Sequence, residues 1–196
     1  MITPLFPNIT APLFPGISAP LFPKTWWLTG LSGAGKTTLA RALADKLGQQ
    51  GLQVCVLDGD HLRQGLCSDL GFSLAERAEN MRRVAEVARL LNDTGVHAIT
   101  ALISPSQAGR DKARAIIGER CFIEAHIATP LAICQQRDPK GLYARARADA
   151  GFELTGIRSP YEVPQAPDIV IDTSAITVEK AVEMLLAAPA LLHCNT

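Results

Sequence analysis

The sequence has little that would point to a membrane or to a nucleic acid. No run of about 18 apolar residues is free of proline or charge, so we expect no membrane-spanning helix. The 19 Lys and Arg residues balance the 19 Asp and Glu residues, which leaves no general basic field for nucleic acid or a membrane surface. No basic residue precedes Lys24, and prolines interrupt the segment before it, so no secretory signal is predicted.

The cysteines likewise lack a pattern of metal ligands or disulfides. None of the five is spaced as C-x-x-C, and none stands at metal-ligand spacing from a histidine. An odd, scattered set suits a reducing compartment, so we predict a cytoplasmic protein. We interpret these residues as small apolar packing groups: Cys55, Cys67, Cys121, Cys134 and Cys194.

A proline-rich repeat occupies residues 2–24, and we place the end of the arm at residue 23. Its units ITPLFPN, ITAPLFPG and ISAPLFPK place Leu5, Leu13 and Leu21 at regular spacing. The repeated prolines disfavour helix and central strand, so we predict an extended, flexible arm that precedes a domain at 24–196. The arm is either a tail without a part in catalysis or a segment whose exposed Leu-Phe pairs dock on this chain or a neighbour.

From Lys24 onward, predicted strands alternate with predicted helices. The pattern predicts strands over 25–29, 53–57, 97–103, 121–128 and 168–172. It predicts helices over about 36–50, 74–94, 107–117, 130–137 and 177–188, while 138–165 has no clear period. Such alternation predicts an α/β fold in which a parallel sheet is covered by helices on both faces. Ligands of such sheets bind beyond the carboxyl ends of the strands.

The segment GLSGAGKT at 30–37 matches G-x-x-x-x-G-K-[ST], between a predicted strand and a predicted helix. Its glycines let the backbone turn tightly and direct N–H groups at phosphate oxygens. Lys36 would reach the β- and γ-phosphates of ATP, and the Thr37 hydroxyl would coordinate Mg²⁺. The predicted nucleotide-binding residues of this loop are Gly30, Ser32, Gly33, Ala34, Gly35, Lys36, Thr37 and Thr38.

This motif does not identify the phosphoryl acceptor. The N-K-x-D segment typical of GTPases is absent, and no Asp-Glu pair follows an apolar strand as in motor-type hydrolases. Asp58 and Asp60 end the second predicted strand, where they could hold Mg²⁺ or accept a proton from an attacking hydroxyl. Alternatively, they are solvated acids of a turn. We predict Lys36, Asp58 and Asp60 as catalytic residues, and Thr37 and Asp58 as metal ligands.

Six segments in order resemble adenylyl-sulfate kinase: LTGLSGAGKTT, LDGDHLRQGL, DLGFSLAERAENMRR, ISPSQAGRDKAR, DPKGLYARARA and TGIRSPYE. The resemblance implies an adenylate-kinase-like P-loop NTPase fold with a parallel five-stranded sheet and a mobile lid at about 138–158. It also implies ATP and Mg²⁺ as cofactors, and phosphorylation of the ribose 3′-hydroxyl of adenosine 5′-phosphosulfate (APS) to give PAPS and ADP. A homodimer is expected, and so is ATP sulfurylase as a partner, because the family also occurs fused to that enzyme.

The resemblance also implies roles for individual residues. Asp60, with Asp58 as the alternative, would orient and deprotonate the acceptor hydroxyl, and Arg137 matches an arginine near the ATP base. Arg63 and Arg77 would bind the phosphosulfate, and Phe72 would stack on adenine. Lys140 and Leu142 would belong to the lid. The remaining acceptor residues are Asn80, Ile103 and Ser104.

Elementary chemistry supports part of this assignment. A guanidinium presents a planar fork that suits phosphate and sulfate oxygens. Arg77, Asn80 and Arg83 are spaced by three, so one helix face can present a guanidinium and an amide together. Without the resemblance, Phe72 would be read as a core residue and Arg77 as a solvated one. Ser104 could cap a helix, form a pocket wall or accept a phosphoryl group.

Several positions depart from the family pattern. His61 stands where the family usually has Asn, and Gln107 where Arg commonly follows the Ile-Ser-Pro turn. Arg110 could replace part of the missing charge, but not its position. Leu154 replaces an aromatic residue, for which Phe152 could compensate. Two alternatives therefore stay open: a P-loop kinase for another small hydroxylated acceptor, and a weakly active kinase-like module that regulates a sulfate-activating partner.

Overall fold

The structure is a computed structural model that describes residues 22–191, with side chains described as far as residue 188. The predicted arm therefore lies outside the described residues except for Phe22 and Pro23. Five strands form one parallel sheet in the order β2-β3-β1-β4-β5. The strands are β1 (Thr25–Thr29), β2 (Val54–Asp58), β3 (His97–Ala101), β4 (Phe122–Ile127) and β5 (Ile169–Ile171).

Seven helices connect or follow these strands in the described part of the chain. They are α1 (Lys36–Gln49), α2 (Gly59–Leu62), α3 (Leu74–Asp93), α4 (Gln107–Ile117), α5 (Leu131–Arg137), α6 (Leu142–Ala148) and α7 (Val178–Leu191). The predicted α/β class with a five-stranded parallel sheet is confirmed. None of the helices in this part of the chain combines the length and the apolar character that crossing a membrane requires.

Strand β1 separates two hydrophobic layers, because adjacent strand residues point to opposite faces of a sheet. Trp26 packs in a cluster with apolar residues of α1 and α7, such as Leu43 and Leu185. Trp27 packs in a second cluster with residues of α3 and α4, such as Val84 and Ala113. The helices therefore cover both faces of the sheet, as predicted.

Local sequence explains where the longest helix begins and ends. The Ser73 hydroxyl accepts a hydrogen bond from the Glu76 backbone N–H, and the Glu76 carboxylate accepts one from the Ser73 backbone N–H, which forms a capping box. After α3 the chain turns at Gly95, whose φ of 87° lies in the region that favours glycine. This termination at Gly95 agrees with the prediction.

Two short helices were not predicted. Helix α2 has only four residues, too few for a hydrophobic period, and begins where the Asp58 carboxylate accepts a hydrogen bond from the Asp60 backbone N–H. Helix α6 lies inside the segment predicted to lack regular structure. There the Asp138 carboxylate accepts from the backbone N–H groups of Tyr143 and Ala144. Both starts depend on a carboxylate cap rather than on apolar periodicity.

Candidate active site

A cavity of about 680 Å³ lies beyond the carboxyl ends of β1, β2 and β3. This is where ligands of parallel α/β sheets bind. Residues from the loop after β1, from α2, α3 and α6, and from the turn after β3 line it. It brings together most of the predicted site residues: Ser32, Gly33, Gly35, Lys36, Thr37, Thr38, Asp58, Asp60, Arg63, Phe72, Arg77, Asn80, Ile103, Ser104, Lys140 and Leu142.

The loop at 30–37 wraps around the side chain of its own lysine. Lys36 Nζ donates hydrogen bonds to the Gly30 carbonyl at 2.8 Å and to the Leu31 carbonyl at 2.7 Å. Burial, with the nearby Lys140 ammonium as a smaller cause, lowers the pKa of Lys36 to about 8. A Cβ at Gly30 would lie 2.5 Å from the Ile127 carbonyl oxygen, so the loop requires glycine there.

Thr37 and Asp58 form the candidate metal-binding pair. The Thr37 hydroxyl donates to one Asp58 carboxylate oxygen at 2.7 Å, and the other oxygen caps α2. Mg²⁺ is usually held by one or two protein oxygens together with waters and phosphates, and this pair fits that requirement. The described residues contain no group of three or more His, Cys, Asp or Glu side chains that could hold a metal ion by themselves.

Asp60 differs from Asp58 in what its carboxylate contacts. It lies in the first turn of α2, its side chain is 62% exposed, and it forms an ion pair with Lys140. Asp58, by contrast, accepts hydrogen bonds from Thr37 and from the α2 N-terminus. Asp60 is therefore the more exposed of the two carboxylates, and Lys140 is its ion-pair partner.

The opposite wall of the cavity presents an exposed aromatic ring with two guanidinium groups close to it. The Phe72 side chain is 57% exposed, and the Cζ atoms of Arg63 and Arg77 lie 4.4 and 5.3 Å from its ring centre. Carbonyl groups hold both arginines: Arg63 Nη1 donates to Leu70, and Arg77 Nε donates to Phe72. The wall therefore offers a ring face for stacking and two fixed cations for an anion.

Asn80 contributes an unpartnered polar group to the same wall. Its side chain is 5% exposed, and within the described residues its Nδ2 group has no hydrogen-bond partner. A buried donor without a partner is unfavourable, which points to a ligand that completes it. Arg83 does not extend this face, because its guanidinium pairs with Asp69 and Glu79. A spacing of three falls short of a 3.6-residue turn, so Arg83 is rotated away from Arg77.

Ser104 forms part of the cavity wall and does not cap a helix. The residue before α4 is Ser106, two positions later in the chain. Ser104 is 2% exposed and has a φ of 47°, and its hydroxyl accepts a hydrogen bond from Trp27 Nε1 at 3.0 Å. Arg110, which could replace part of the charge missing at Gln107, is buried outside the cavity lining and pairs with Glu124. Leu154, which stands at the altered aromatic position, and Phe152, two residues earlier, both line the cavity.

Three predicted nucleotide-binding residues lie outside the cavity lining. The Gly30 carbonyl holds Lys36, and the carbonyl of the buried Ala34 accepts hydrogen bonds from threonine hydroxyls at 129 and 173. Arg137 donates to the hydroxyl and the carbonyl of Thr173 at 2.7 and 3.0 Å, beside Gly33. The carbonyl groups of Gly30 and Ala34 therefore stabilise the conformation of the loop, and Arg137 contacts Thr173 next to it.

Sequence reasoning missed several residues at this site. The Tyr143 hydroxyl donates to the Ser32 carbonyl at 2.9 Å and so joins α6 to the phosphate-binding loop. Arg41 and Gln64 also line the cavity, as does His61, which the sequence marks only as a departure from the family pattern. Arg41 was detectable from its place one helical turn after Thr37, since residues four apart share a helix face. For Tyr143 the sequence carries no comparable signal.

Comparison with known proteins places the chain among sulfate-activating kinases. The family model of adenylylsulphate kinase matches residues 23–172. The adenylyl-sulfate kinase of Shewanella amazonensis is 54% identical over 160 residues, which cover 82% of this chain and 81% of the relative. The solved structure of a Mycobacterium tuberculosis APS kinase in complex with AMPPNP and APS matches with a TM-score of 0.81 and 43% identity, covering 85% of this chain and 96% of that one. A hexameric APS kinase from Thiobacillus denitrificans matches with a TM-score of 0.64 and 38% identity, covering 84% of this chain and 28% of that one.

Proposed function

This chain belongs to the adenylyl-sulfate kinase family, and we propose that it transfers the γ-phosphoryl group of ATP to the 3′-hydroxyl of APS, giving PAPS and ADP. One observation carries the proposal. The exposed Asp60 carboxylate and the Thr37–Asp58 pair stand in the same cavity as Lys36 and the Arg63–Phe72–Arg77 wall. The phosphate-binding loop and the wall suited to an anionic nucleotide therefore line the same cavity as the carboxylates of Asp58 and Asp60.

On the donor side, the loop would bind the β- and γ-phosphates through its backbone N–H groups and Lys36. The Lys36 ammonium would exchange its contacts with the Gly30 and Leu31 carbonyls for phosphate oxygens. Thr37 and Asp58 would hold Mg²⁺, which when bound would offset the negative charge of the phosphates. Arg137, beside Gly33, would lie near the nucleotide.

On the acceptor side, the adenine of APS would stack on Phe72 and the phosphosulfate would meet Arg63 and Arg77. The Asn80 amide would complete its missing hydrogen bond with the substrate. Ile103 and Ser104 would form the wall behind it. Binding of a planar base and of a dianion thus uses the ring and the two guanidinium groups that the wall presents.

In the chemical step, the 3′-oxygen would attack the γ-phosphorus in line with the leaving group. Asp60 would accept the hydroxyl proton, the new O–P bond would form, and the bond to the β–γ bridging oxygen would break to release ADP. Lys140 would leave Asp60 as the substrates bind and would add positive charge to the transferred group. Closure of the lid at about 138–158, which carries Lys140 and Leu142, would exclude water as a competing acceptor.

The decisive experiment measures PAPS formation from ATP, APS and Mg²⁺ by the full chain. We expect turnover with APS, no turnover with a nucleoside or a sugar acid as acceptor, and loss of turnover when Mg²⁺ is chelated. A chain without residues 1–23 serves as a comparison and should retain activity if the arm is a separate segment. Phosphorylation of another acceptor, or nucleotide binding without turnover, would replace the proposed function by one of its two alternatives.

Assembly and location form a further part of the proposal. We propose a cytoplasmic homo-oligomer, with a dimer as the first expectation and a separate ATP sulfurylase as a partner. The family membership supports association between copies, and the Thiobacillus denitrificans relative is described as hexameric. Light scattering coupled to size-exclusion chromatography measures the number of copies directly. A mixture with ATP sulfurylase run on the same column tests the second association.

A further inference from the structure

We propose that Arg110 is a positioning residue for the acceptor: its buried guanidinium holds the turn at Ser104 in the conformation that shapes the acceptor wall. The inference rests on the proposed function, because it assigns that wall to the acceptor. Arg110 does not line the cavity and is 1% exposed. Its effect on binding would therefore pass through the backbone of Ser104 and not through contact with a ligand.

The turn at Ser104 needs support, because its backbone is in an unfavourable conformation. Ser104 and Asp138 are the non-glycine residues with positive φ in the described part of the chain. For a residue with a Cβ atom this region is costly and persists where surrounding contacts impose it. Three groups do so here: Arg110 Nη1 donates to the Ser104 carbonyl at 2.8 Å, Thr29 Oγ1 lies 3.3 Å from the same oxygen, and Trp27 Nε1 donates to the hydroxyl.

Arg110 is itself held rigidly from two sides. Its Nε atom forms an ion pair at 2.8 Å with Oε1 of Glu124, which is buried on β4. Its Nη2 atom donates to the Gln107 side-chain oxygen at 2.8 Å. Because the guanidinium is planar, contacts at Nε and Nη2 also fix the place of Nη1, and one of its two N–H groups donates to the Ser104 carbonyl.

The same network joins the turn to a second segment. The Gln107 side-chain oxygen also accepts from the Gln165 backbone N–H at 3.3 Å, and the Gln107 backbone N–H donates to the Glu162 carboxylate at 2.6 Å. The Glu162 backbone N–H in turn donates to the Pro105 carbonyl at 2.8 Å. Gln107, which stands at a position of family departure, thus acts here as a bridge between Arg110 and residues 162–165.

A purely structural role is the competing explanation, in which Arg110 only neutralises Glu124. Arg114 separates the two explanations. It also lies near Glu124, at 3.7 Å, and pairs with Asp168 and Glu119, but in the described structure its hydrogen bonds go to these acids and not to the Ser104 turn. Removal of either arginine disturbs the buried charge, whereas only removal of Arg110 releases the turn.

The first test compares Arg110→Met with Arg114→Met in steady-state kinetics and nucleotide binding. We expect Arg110→Met to raise the KM for APS about tenfold or more, since small displacements of a positioned group have effects of this size. The Kd for AMPPNP should stay within about twofold, and kcat should change much less than KM. Arg114→Met should leave the KM for APS near the parent value. Equal effects of the two variants, or an unchanged KM in Arg110→Met, would overturn the proposal.

A second readout follows the turn without any substrate. The chain has two tryptophans, so a Trp26→Phe background leaves Trp27 as the reporter of its hydrogen bond to Ser104. Ser104→Ala removes the acceptor of that bond and calibrates the change in emission. We expect Arg110→Met to change the Trp27 emission in the same direction, and Lys112→Met, at an exposed position of the same helix, to leave it unaltered. An unchanged spectrum in Arg110→Met would contradict the proposal even if the parent chain had no activity toward APS.

If Arg110→Met does not fold, Arg110→Lys decides the question. A lysine retains a positive charge beside Glu124 but has no planar fork that could reach Ser104 and Gln107 together. A folded Arg110→Lys protein with a raised KM for APS and altered Trp27 emission supports the positioning role. A folded Arg110→Lys protein with both properties unchanged shows that charge neutralisation is sufficient and rejects it.

Discussion

The phosphate-binding half and the acceptor half of the cavity differ in how their polar groups are satisfied. In the phosphate-binding half, Lys36 donates to two loop carbonyls and the Thr37 hydroxyl donates to Asp58. In the acceptor half, the buried Nδ2 group of Asn80 has no partner among the described residues, and the ring of Phe72 is largely exposed. The named polar groups of the phosphate-binding half thus have hydrogen-bond partners within the described chain, whereas the Asn80 amide of the acceptor half lacks one.

This difference suggests a division of labour. Groups that are already fixed need little reorganisation when charge develops in a transition state, which is the condition for electrostatic catalysis. Groups that are exposed or unpartnered gain most from the ligand itself, and they contribute mainly to affinity. We therefore expect substitutions in the phosphate-binding half to lower kcat, and substitutions in the acceptor half to raise the KM for APS.

The largest effect is expected from Lys36→Ala. Loss of the ammonium removes the charge that stabilises the transferred phosphoryl group, so kcat should fall about 10³-fold or more. The far-ultraviolet circular dichroism spectrum should stay unchanged, because the side chain carries a buried charge and not a core contact. Lys46→Ala, at the exposed end of α1, is the matched control and should retain full activity. Parent-like kinetics in Lys36→Ala would remove the loop from the mechanism.

The next effect separates the two carboxylates. Asp60→Asn should lower kcat about 10²- to 10⁴-fold through loss of the general base, with little change in the Mg²⁺ concentration that gives half-maximal rate. Asp58→Asn should instead raise that Mg²⁺ concentration, because the amide weakens the Thr37–Asp58 pair as a ligand set. Mg²⁺ titrations of both variants measure the difference. If the two variants behave alike, the separate roles assigned from their contacts are wrong.

Arg77→Ala should have a smaller effect that falls on the acceptor alone. A hydrogen bond to a charged group contributes about 1.5–3 kcal/mol, which corresponds to an increase in the KM for APS of about 10- to 150-fold. The Kd for AMPPNP should not change. Arg82→Ala, on the same helix but paired with Glu79 and Glu86 at the surface, is the control. A shift in the nucleotide constant of Arg77→Ala would place this arginine in the other half of the cavity.

The smallest effect is a pH dependence of nucleotide binding. The pKa of Lys36 is about 8 in the free protein, and bound phosphates favour the ammonium form, so the pKa rises in the complex. The Kd for AMPPNP should therefore be nearly constant below pH 8 and increase above it, by up to about tenfold per pH unit. Isothermal titration calorimetry between pH 7 and pH 9.5 measures this slope. Lys36→Met should bind more weakly and without the slope.

The sequence predicted the sheet and the phosphate-binding loop well, because both depend on local patterns. The strand at 25–29 and the helix at 107–117 have the predicted bounds. Helix α6 was missed, since its start depends on the Asp138 carboxylate and not on apolar spacing. The spacing of three left the place of Arg83 open, and over two intervals it rotates that side chain away from Arg77 toward Asp69 and Glu79.

The supports of the site were beyond sequence reasoning for a different reason. The ion pair between Arg110 and Glu124 joins α4 to β4, and the hydrogen bond from Tyr143 to Ser32 joins α6 to the first loop. Contacts of this kind depend on which elements become neighbours after folding. A basic residue on a helix carries no local sign that it will be buried, so the burial of Arg110 and its ion pair could not be predicted from the sequence.

The neighbouring tryptophans of β1 pack on opposite faces of the sheet, and this separation of two hydrophobic layers has an evolutionary consequence. Trp26 belongs to the layer of α1 and α7, which carries the phosphate-binding half, and Trp27 to the layer of α3 and α4, which carries the acceptor half. Mutations that repack one layer reach the other only across the thickness of the sheet. A lineage built on this plan can diversify its choice of acceptor on one face while the machinery that activates ATP on the other face is inherited intact.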